Sequence, residues 1–523
     1  KQKAKKFNTI VTTEQNLDKR RIAKNTLLLY VRMFLMILIG LYTSRVILKT
    51  LGVSDYGVYN VVGGMVSMFA FLNSAMVAAS QRFISYELGR GDKERLNLVF
   101  CTSVNIHVII AVVIFILAET IGLWFVNIRL VIDADRMVAA NWVYQFSVLT
   151  FMVTVVSVPY NSCIVAHEHM RAFAYIGIVD ACLRLIAVFL LLVFPYDKLI
   201  FYAFGVFAAS IIVRILYSFY CKKHFEECAY RFIVNWKLLK RMFSFAGWSV
   251  LGNLGFSFKD QGSNIILNLF YGTSINAARG IAMQVSGLVS TFSSNFSMAL
   301  YPQITKQYAG GNVESCLNLV YSGARYTFYL LTLVSIPFLI NVDYVLKLWL
   351  GDVPQYTSIF LMISMVVSIL YTVTGTVTTA LQATGEIKWF QIGICIIMLL
   401  ELPIGYIFLS YGYPPYYALY PGILTGVIAI FFRIFLLKRY IPKCNISYYL
   451  FAVFARSMAI GIATWIICNY IHSFFPDTFF TVILTSLISV VILLIFVFSF
   501  GLSSVERSMI RQKLELVIHR VCK

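Results

Sequence analysis

Charge is what this sequence has least of. Asp, Glu, Lys and Arg make up 13% of its 523 residues, about half the share of an ordinary soluble domain. Apolar side chains reach 60% and the mean hydropathy is +0.80. So little charge cannot cover so much apolar surface in water, which excludes a soluble enzyme, a disordered chain and a collagen-like fibre. Acidic residues are scarcest: 23 Asp+Glu face 43 Lys+Arg, a formal net charge of +20. In a soluble protein that balance would suggest nucleic acid. In a membrane protein it is first a signal of topology.

Other absences narrow the chemistry. No Gly-rich loop followed by Lys-Ser/Thr is present, so the chain carries no ATPase of its own. No Gly-x-Ser-x-Gly elbow appears. His167-Glu168-His169 is not the metalloprotease spacing, and no further ligand cluster is visible beside it, so no metal is expected. None of the ten cysteines falls in an outer loop of the topology derived below. Without thiols on the oxidising side there is no disulfide framework, and the cysteines read as small apolar packing residues. The outer loops are also short and poor in titratable groups, which argues against a membrane-bound glycan enzyme. A transporter rather than an enzyme is expected.

What the chain has in abundance is long apolar runs. A helix needs about 20 apolar residues to cross the hydrocarbon. Fourteen runs qualify, at roughly 25–48, 56–79, 97–122, 139–165, 172–194, 199–221, 242–270, 278–303, 317–340, 356–383, 389–411, 417–437, 450–472 and 478–501. The first is too long for a cleaved signal peptide and lacks its cleavage site. Lys rather than Met at position 1 suggests a trimmed chain. With a cytoplasmic N-terminus, 29 of the 43 Lys/Arg lie in inner segments and six at the outer side (Lys49, Arg129, Arg136, Lys198, Arg279 and Lys347). That asymmetry orients the chain, puts both termini in the cytoplasm and attributes most of the net charge to topology and anionic inner-leaflet lipids. Nucleic acid is not an expected partner. Residues 1–24 read as a basic, unstructured tail. Residues 505–521 pattern as an amphipathic helix on the inner leaflet, or as a solvated helical tail.

The chain also repeats itself. Leu96-Asn97-Leu98-Val99-Phe100 matches Leu317-Asn318-Leu319-Val320-Tyr321. Gly91 with Glu94 answers to Gly311 with Glu314, Gly52 to Gly272, and Ile176-Gly177-Ile178 to Ile392-Gly393-Ile394. The reading is an all-α polytopic membrane protein of about 14 transmembrane helices, with two pseudo-symmetric six-helix lobes and two extra C-terminal helices. Its divisions are a basic tail (1–24), an N-lobe (25–221), an inter-lobe cytoplasmic loop (222–241), a C-lobe (242–437), helices 13 and 14 (438–501) and a cytoplasmic amphipathic tail (502–523). Parallel repeats of this kind build transporters whose site lies between the halves near the midplane.

Ionisable groups inside the bilayer are costly and each needs a reason. Arg32 lies in span 1 without an acidic neighbour, Lys259 and Asp260 sit mid-way along span 7, and Arg325 lies inside span 9. Arg45 and Arg279 are placed to snorkel outward, and Arg214 and Arg433 inward. Asp180 and Arg184 share a helical face as a self-neutralised pair. Glu401, beside Pro403, stands isolated as a proton- or cation-binding carboxylate or a helix contact. Spans 7 and 8 are rich in Ser, Gly and Asn, so much of their surface must face protein or water. The expected site is therefore a cavity with Arg32, Lys259, Arg279 and Arg325 as substrate-binding cations. Asp260 and Glu401 are the candidate coupling or cavity carboxylates. A net positive cavity suits a phosphate or pyrophosphate.

Arg45 followed by Leu51-Gly52-Val53-Ser54-Asp55-Tyr56-Gly57-Val58-Tyr59 resembles the turn after helix 1 of Wzx-type polysaccharide (O-antigen) flippases. Arg82 through Asp92 is similar to their loop after helix 2, and Asp260, Ile265-Ile266-Leu267 and Gly272 to their helix 7. These flippases belong to the MOP superfamily with the MATE drug exporters and MurJ. The resemblance implies translocation of an undecaprenyl-pyrophosphate-linked oligosaccharide, such as a lipopolysaccharide precursor, across the bacterial inner membrane. It implies lobes that alternate in access and cavity cations that meet the pyrophosphate, with Arg32 matching a helix-1 arginine and Arg279 and Lys259 carried over beside it. Spans 13 and 14 exceed the twelve-helix core, as in MurJ. The partners it implies are the lipid-linked oligosaccharide, inner-leaflet lipids and other polysaccharide assembly proteins, around a monomer with no cofactor beyond a coupling H+ or Na+. The competing expectation is a MATE-like, ion-coupled exporter of small molecules or drugs, against which the lack of a carboxylate in span 1 counts.

Overall fold

A computed structural model describes residues 70–504 apart from 129–133, 192–196, 272, 352 and 477, parts of 25–66, and 506–508 and 511 beyond. Arg45, Gly52, the basic 1–24 tail and most of the amphipathic tail lie outside the described residues. The described chain is helical with no strand, as lipid demands of a chain that must satisfy its own backbone groups. Among the described residues, nine helices are long and apolar enough to span a membrane, or ten if the bent pair Thr357–Val373 and Gly375–Thr384 is one span. The protein is a multi-pass membrane protein. The difference from fourteen has local reasons. Spans 1 and 2 lie partly outside the described residues. Spans 7 and 8 are the helices Trp236–Tyr271 and Thr273–Ala309, of 36 and 37 residues, long enough to span but rich in polar side chains.

The chain forms two compact units: residues 1–254, 298–312 and 385–391, and residues 255–297, 313–384 and 392–523. In the first, Met137–Ala166 packs on Lys198–His224 and on Ala70–Arg90, around a core that includes Val143, Tyr144, Val148, Leu199 and Ala203. Lys93–Leu117 continues through a π-helical turn at Ala118–Gly122. The Ala118 carbonyl in that turn accepts the Tyr144 hydroxyl at 2.8 Å, and a side chain at Gly122 would collide with that hydroxyl. In the second unit Leu331, Phe360, Leu361 and Met365 centre the core. The two C-terminal helices, Arg456–His472 and Phe479–Phe496, pack on Val313–Ile340, with Ile336 and Ile340 meeting Cys468.

The repeat is visible in the backbone. Gly91 and Gly311 both adopt positive φ, +73° and +79°, where an L side chain is strained. Each ends one helix and precedes the next, Lys93–Leu117 or Val313–Ile340. Gly177 and Gly393 are both sites of close approach: a Cβ would collide with the Arg32 guanidinium in one and with the Phe432 ring in the other. One expectation changes. Arg82–Arg90 is not loop but the end of the helix Ala70–Arg90. Arg82 is buried, stacks over Phe83 and Tyr86 and fills the space that a side chain at Gly385 would need.

Candidate functional site

Four of the ionisable residues singled out in the sequence line one pocket of the second unit, about 450 Å³ in volume: Lys259, Asp260, Arg279 and Glu401. Thr273–Ala309 supplies its serine wall, with Ser286, Ser290, Ser293, Ser294 and Ser297 at helical spacing. The far wall is the bent pair, whose axes break by 41°. At the break the Thr374 hydroxyl donates to the Tyr371 carbonyl at 2.9 Å and accepts from the Arg433 guanidinium. Tyr371, Thr372 and Gly375 on either side line the pocket. Unwound backbone is tolerated at membrane depth where protein or a cavity satisfies it, and transporters bind substrates at such breaks.

The charges inside are arranged as two pairs. Lys259 Nζ lies 3.6 Å from Glu401 Oε2. Glu401 also accepts the Thr425 hydroxyl at 2.7 Å and is reached by the Tyr371 hydroxyl at 3.5 Å. It is therefore not isolated, as its sequence neighbourhood suggested. Arg279 Nη2 lies 3.2 Å from Asp260 Oδ1, and its Nη1 bonds the Asn264 side chain. Arg279 is 4% exposed, so it is directed into the protein and does not snorkel outward. Among the described residues its buried Nε has no hydrogen-bond partner.

Arg325 does not join this group. Its Nη1 donates to the Gly501 carbonyl and its Nη2 to Glu506, each at 3.1 Å. A carboxylate just beyond the last span neutralises it. With Arg325 gone and Glu401 added, the pocket carries two cations and two carboxylates. It is charge-balanced rather than net positive. Arg433, placed by the sequence to snorkel inward, is instead 7% exposed, and its guanidinium sits 5.6 Å from the centre of the Tyr371 ring. Among the described residues no carboxylate pairs with it. Sequence reasoning missed Tyr371 and Thr425 and gave Arg433 a different role. The one local hint was Thr372-Val373-Thr374-Gly375, a poor helix-forming run within a span.

The first unit holds Arg32. Its guanidinium stacks 4.2 Å from the Phe173 ring centroid, against Gly177, and among the described residues its buried Nε has no hydrogen-bond partner. Arg184 bonds Asp180 at 3.0 Å. That pair lines a separate pocket of about 410 Å³ with Thr43 and Tyr202. The turn at His167-Glu168-His169 is structural in part. Glu168, at φ +62°, accepts from Gln303 at 2.6 Å and Lys306 at 2.8 Å. Beside it Glu227 bonds His167. Burial pushes the Glu227 carboxyl up, but the hydrogen bond from His167 and others outweigh it and the net direction is down.

The family profile of polysaccharide biosynthesis proteins matches residues 22–308, more than half of the chain. The chain belongs to that family. It is also 20% identical over 326 residues to the uncharacterized membrane protein EpsK of Bacillus subtilis, a match that covers 62% of this chain and 64% of that protein. The match thus spans just under two thirds of the length of EpsK. Solved structures show the fold. A MATE transporter in the straight conformation superposes with a TM-score of 0.69 at 14% identity, over 81% of this chain and 97% of that one. An outward-facing multidrug resistance MATE transporter of the MOP superfamily does so with a TM-score of 0.70 at 14% identity, over 81% of this chain and 96% of its own. A MOP superfamily transporter from Pyrococcus furiosus, described as having a binding pocket of reversed polarity, gives 0.69 at 14% identity, over 81% and 96% of the two chains. The family member therefore has the fold of MOP transporters.

Proposed function

We propose that this polysaccharide biosynthesis protein is a flippase, which moves an undecaprenyl-pyrophosphate-linked oligosaccharide across the bacterial inner membrane by alternating access. The observation that carries the reading is the family match on a MATE-like transporter fold. The pocket chemistry supports it. Lys259 and Arg279 hold donors toward a water-accessible, serine-lined space, each restrained by one carboxylate. A pyrophosphate entering there competes with Asp260 and Glu401 for the same donors, and binding swaps one set of charge-assisted hydrogen bonds for another. The swap makes binding reversible, as transport requires. Protonation or Na+ binding at Asp260 and Glu401 is the corresponding route for ion coupling. Arg32 acts as the cation of the first unit.

The test is genetic and chemical. In a deletion strain, undecaprenyl-linked repeat units accumulate on the inner leaflet, and the wild-type gene clears them. Lys259→Ala and Arg32→Ala, at normal membrane levels, abolish that rescue. Full activity of both variants removes the cationic-site reading. The second reading is an ion-coupled exporter of small molecules, favoured by the two carboxylates in the pocket. It predicts unchanged glycan and new drug sensitivity in the same deletion strain.

A further inference from the structure

Beside the Glu168 turn, the first unit gathers an unusual set of side chains that transport chemistry leaves unused. Cys163 and His167 are one helical turn apart at the end of Met137–Ala166, so they project from the same face. Cys221 lies in the last turn of the helix Lys198–His224 and Cys228 follows in the short 3-10 turn Glu226–Cys228. Cys163, Cys221 and Cys228 are all fully buried. Cys163 Sγ lies 3.4 Å from Cys228 Sγ and 3.7 Å from Glu227 Oε1. His167 Nε2 meets the same Glu227 oxygen. One ligand atom from each of Cys163, His167 and Glu227 falls within 4.8 Å of the other two.

We propose that Cys163, His167, Glu227 and Cys228 bind a single thiophilic divalent cation, most simply Zn2+, as a structural site at the inner end of the first unit. A tetrahedral zinc with Zn–S near 2.3 Å and Zn–N near 2.0 Å sets its ligand atoms roughly 3.3–3.8 Å apart. The Cys163–Cys228 and Cys163–Glu227 separations of 3.4 and 3.7 Å match that spacing, whereas the hydrogen-bonded His167 and Glu227 must part and Cys228, beside Cys163 but outside the three-residue group, must turn toward it. Two thiolates, an imidazole and a carboxylate are a donor set that suits zinc over magnesium or calcium. Binding releases the two thiol protons to water and replaces the His167–Glu227 hydrogen bond by bonds from both side chains to the metal. The spacing, Cys-x3-His followed far downstream by Glu-Cys, is not a recognised zinc signature, so the His167-Glu168-His169 motif looked unaccompanied in sequence. The site ties the segment after Lys198–His224 to the end of Met137–Ala166. A closed four-ligand site of this kind is a staple rather than a reaction centre.

The experiment uses the full chain, purified in detergent with its affinity tag removed and without chelator. Elemental analysis should find about one zinc per chain. Replacement by Co2+ should give the visible absorption of a tetrahedral, thiolate-ligated ion. Cys163→Ser, His167→Ala and Cys228→Ser should each lower retained zinc at least about tenfold, because every ligand is needed for a closed site. Cys101→Ser, a buried thiol near Ala229 that takes no part, should retain it and controls for misfolding. Less than about 0.1 zinc per wild-type chain after reconstitution with excess Zn2+, or undiminished zinc in the Cys163→Ser and Cys228→Ser variants, overturns the proposal.

Discussion

Arg325 shows how a single residue's role depends on a partner far away in the chain. In sequence it is a bare cation inside an apolar span. In space Glu506, 181 residues later, accepts from it and from the Tyr326 hydroxyl, and also takes the Ser503 backbone N–H at 2.7 Å. Burial pushes the Glu506 carboxyl up, but the bonds from Tyr326 and Ser503 and the Arg325 charge outweigh it, so its pKa lies below the usual range. A carboxylate with a depressed folded pKa stabilises fully above its unfolded value, about 4.3, and loses that contribution as pH falls through the folded value. Glu506 is therefore held on Arg325 and Tyr326 at neutral pH and should be released in acid. A spin label attached at neutral pH to a Ser504→Cys variant in detergent should gain mobility as pH drops from about 7 to about 3. In a Glu506→Gln background its mobility should be high throughout. Equal mobility at both ends of the range in the first variant would exclude the tether. Nothing within span 9 announces this pairing, because the acidic partner belongs to a different segment. Glu401 reads as isolated in sequence for the same reason: Lys259 lies in a helix far upstream, and a helical periodicity carries no information at that separation.

At the scale of elements, the features that could be read were those dictated by backbone geometry within a few residues. Gly91 and Gly311 could be paired from sequence because each supplies the left-handed residue that a tight helix–helix turn needs. Gly177 and Gly393 could be paired because each admits a neighbouring side chain. The break between Thr357–Val373 and Gly375–Thr384 could not be placed, since apolar content alone makes 356–383 one span. What holds the break is tertiary: Arg433, on Pro421–Tyr440, donates to the Thr374 hydroxyl. Truncating that arginine leaves a buried hydroxyl at the bend with one fewer partner and opens the space beside Tyr371. Arg433→Ala should cost about 1–3 kcal/mol, the usual range for losing a charge-assisted buried hydrogen bond. It should also reduce transport in the deletion-strain assay, because Tyr371 and Gly375 line the pocket. Thr374→Val should reproduce part of both effects. Wild-type melting temperature and glycan output in Arg433→Ala would show that the bend holds itself.

For the whole molecule, the most legible property is the one that depends on sums rather than contacts. Hydropathy located the spans because each needs only a length of apolar chain. The distribution of Lys and Arg predicts their orientation because insertion responds to the total charge of each short flank. Where charge is sparse and buried, as in the serine-lined pocket, sums fail. The count predicted a net positive site, whereas the fold places two carboxylates against two cations. The orientation itself makes a further prediction. The turn after Pro421–Tyr440 carries Lys443 just beyond Lys438 and Arg439 of the helix's last turn, while the turn after Glu401–Ser410 has no Lys or Arg. A fluorescent protein fused after Tyr440 should fold in the cytoplasm and glow. Alkaline phosphatase fused after Gly412 should be exported and active, and each reporter moved to the other site should fall silent. If that orientation holds, Cys163, Cys221 and Cys228 lie toward the reducing side, where thiols stay free to bind metal. Phosphatase activity after Tyr440 would reverse both statements at once, and would make a disulfide between Cys163 and Cys228 the chemistry to look for.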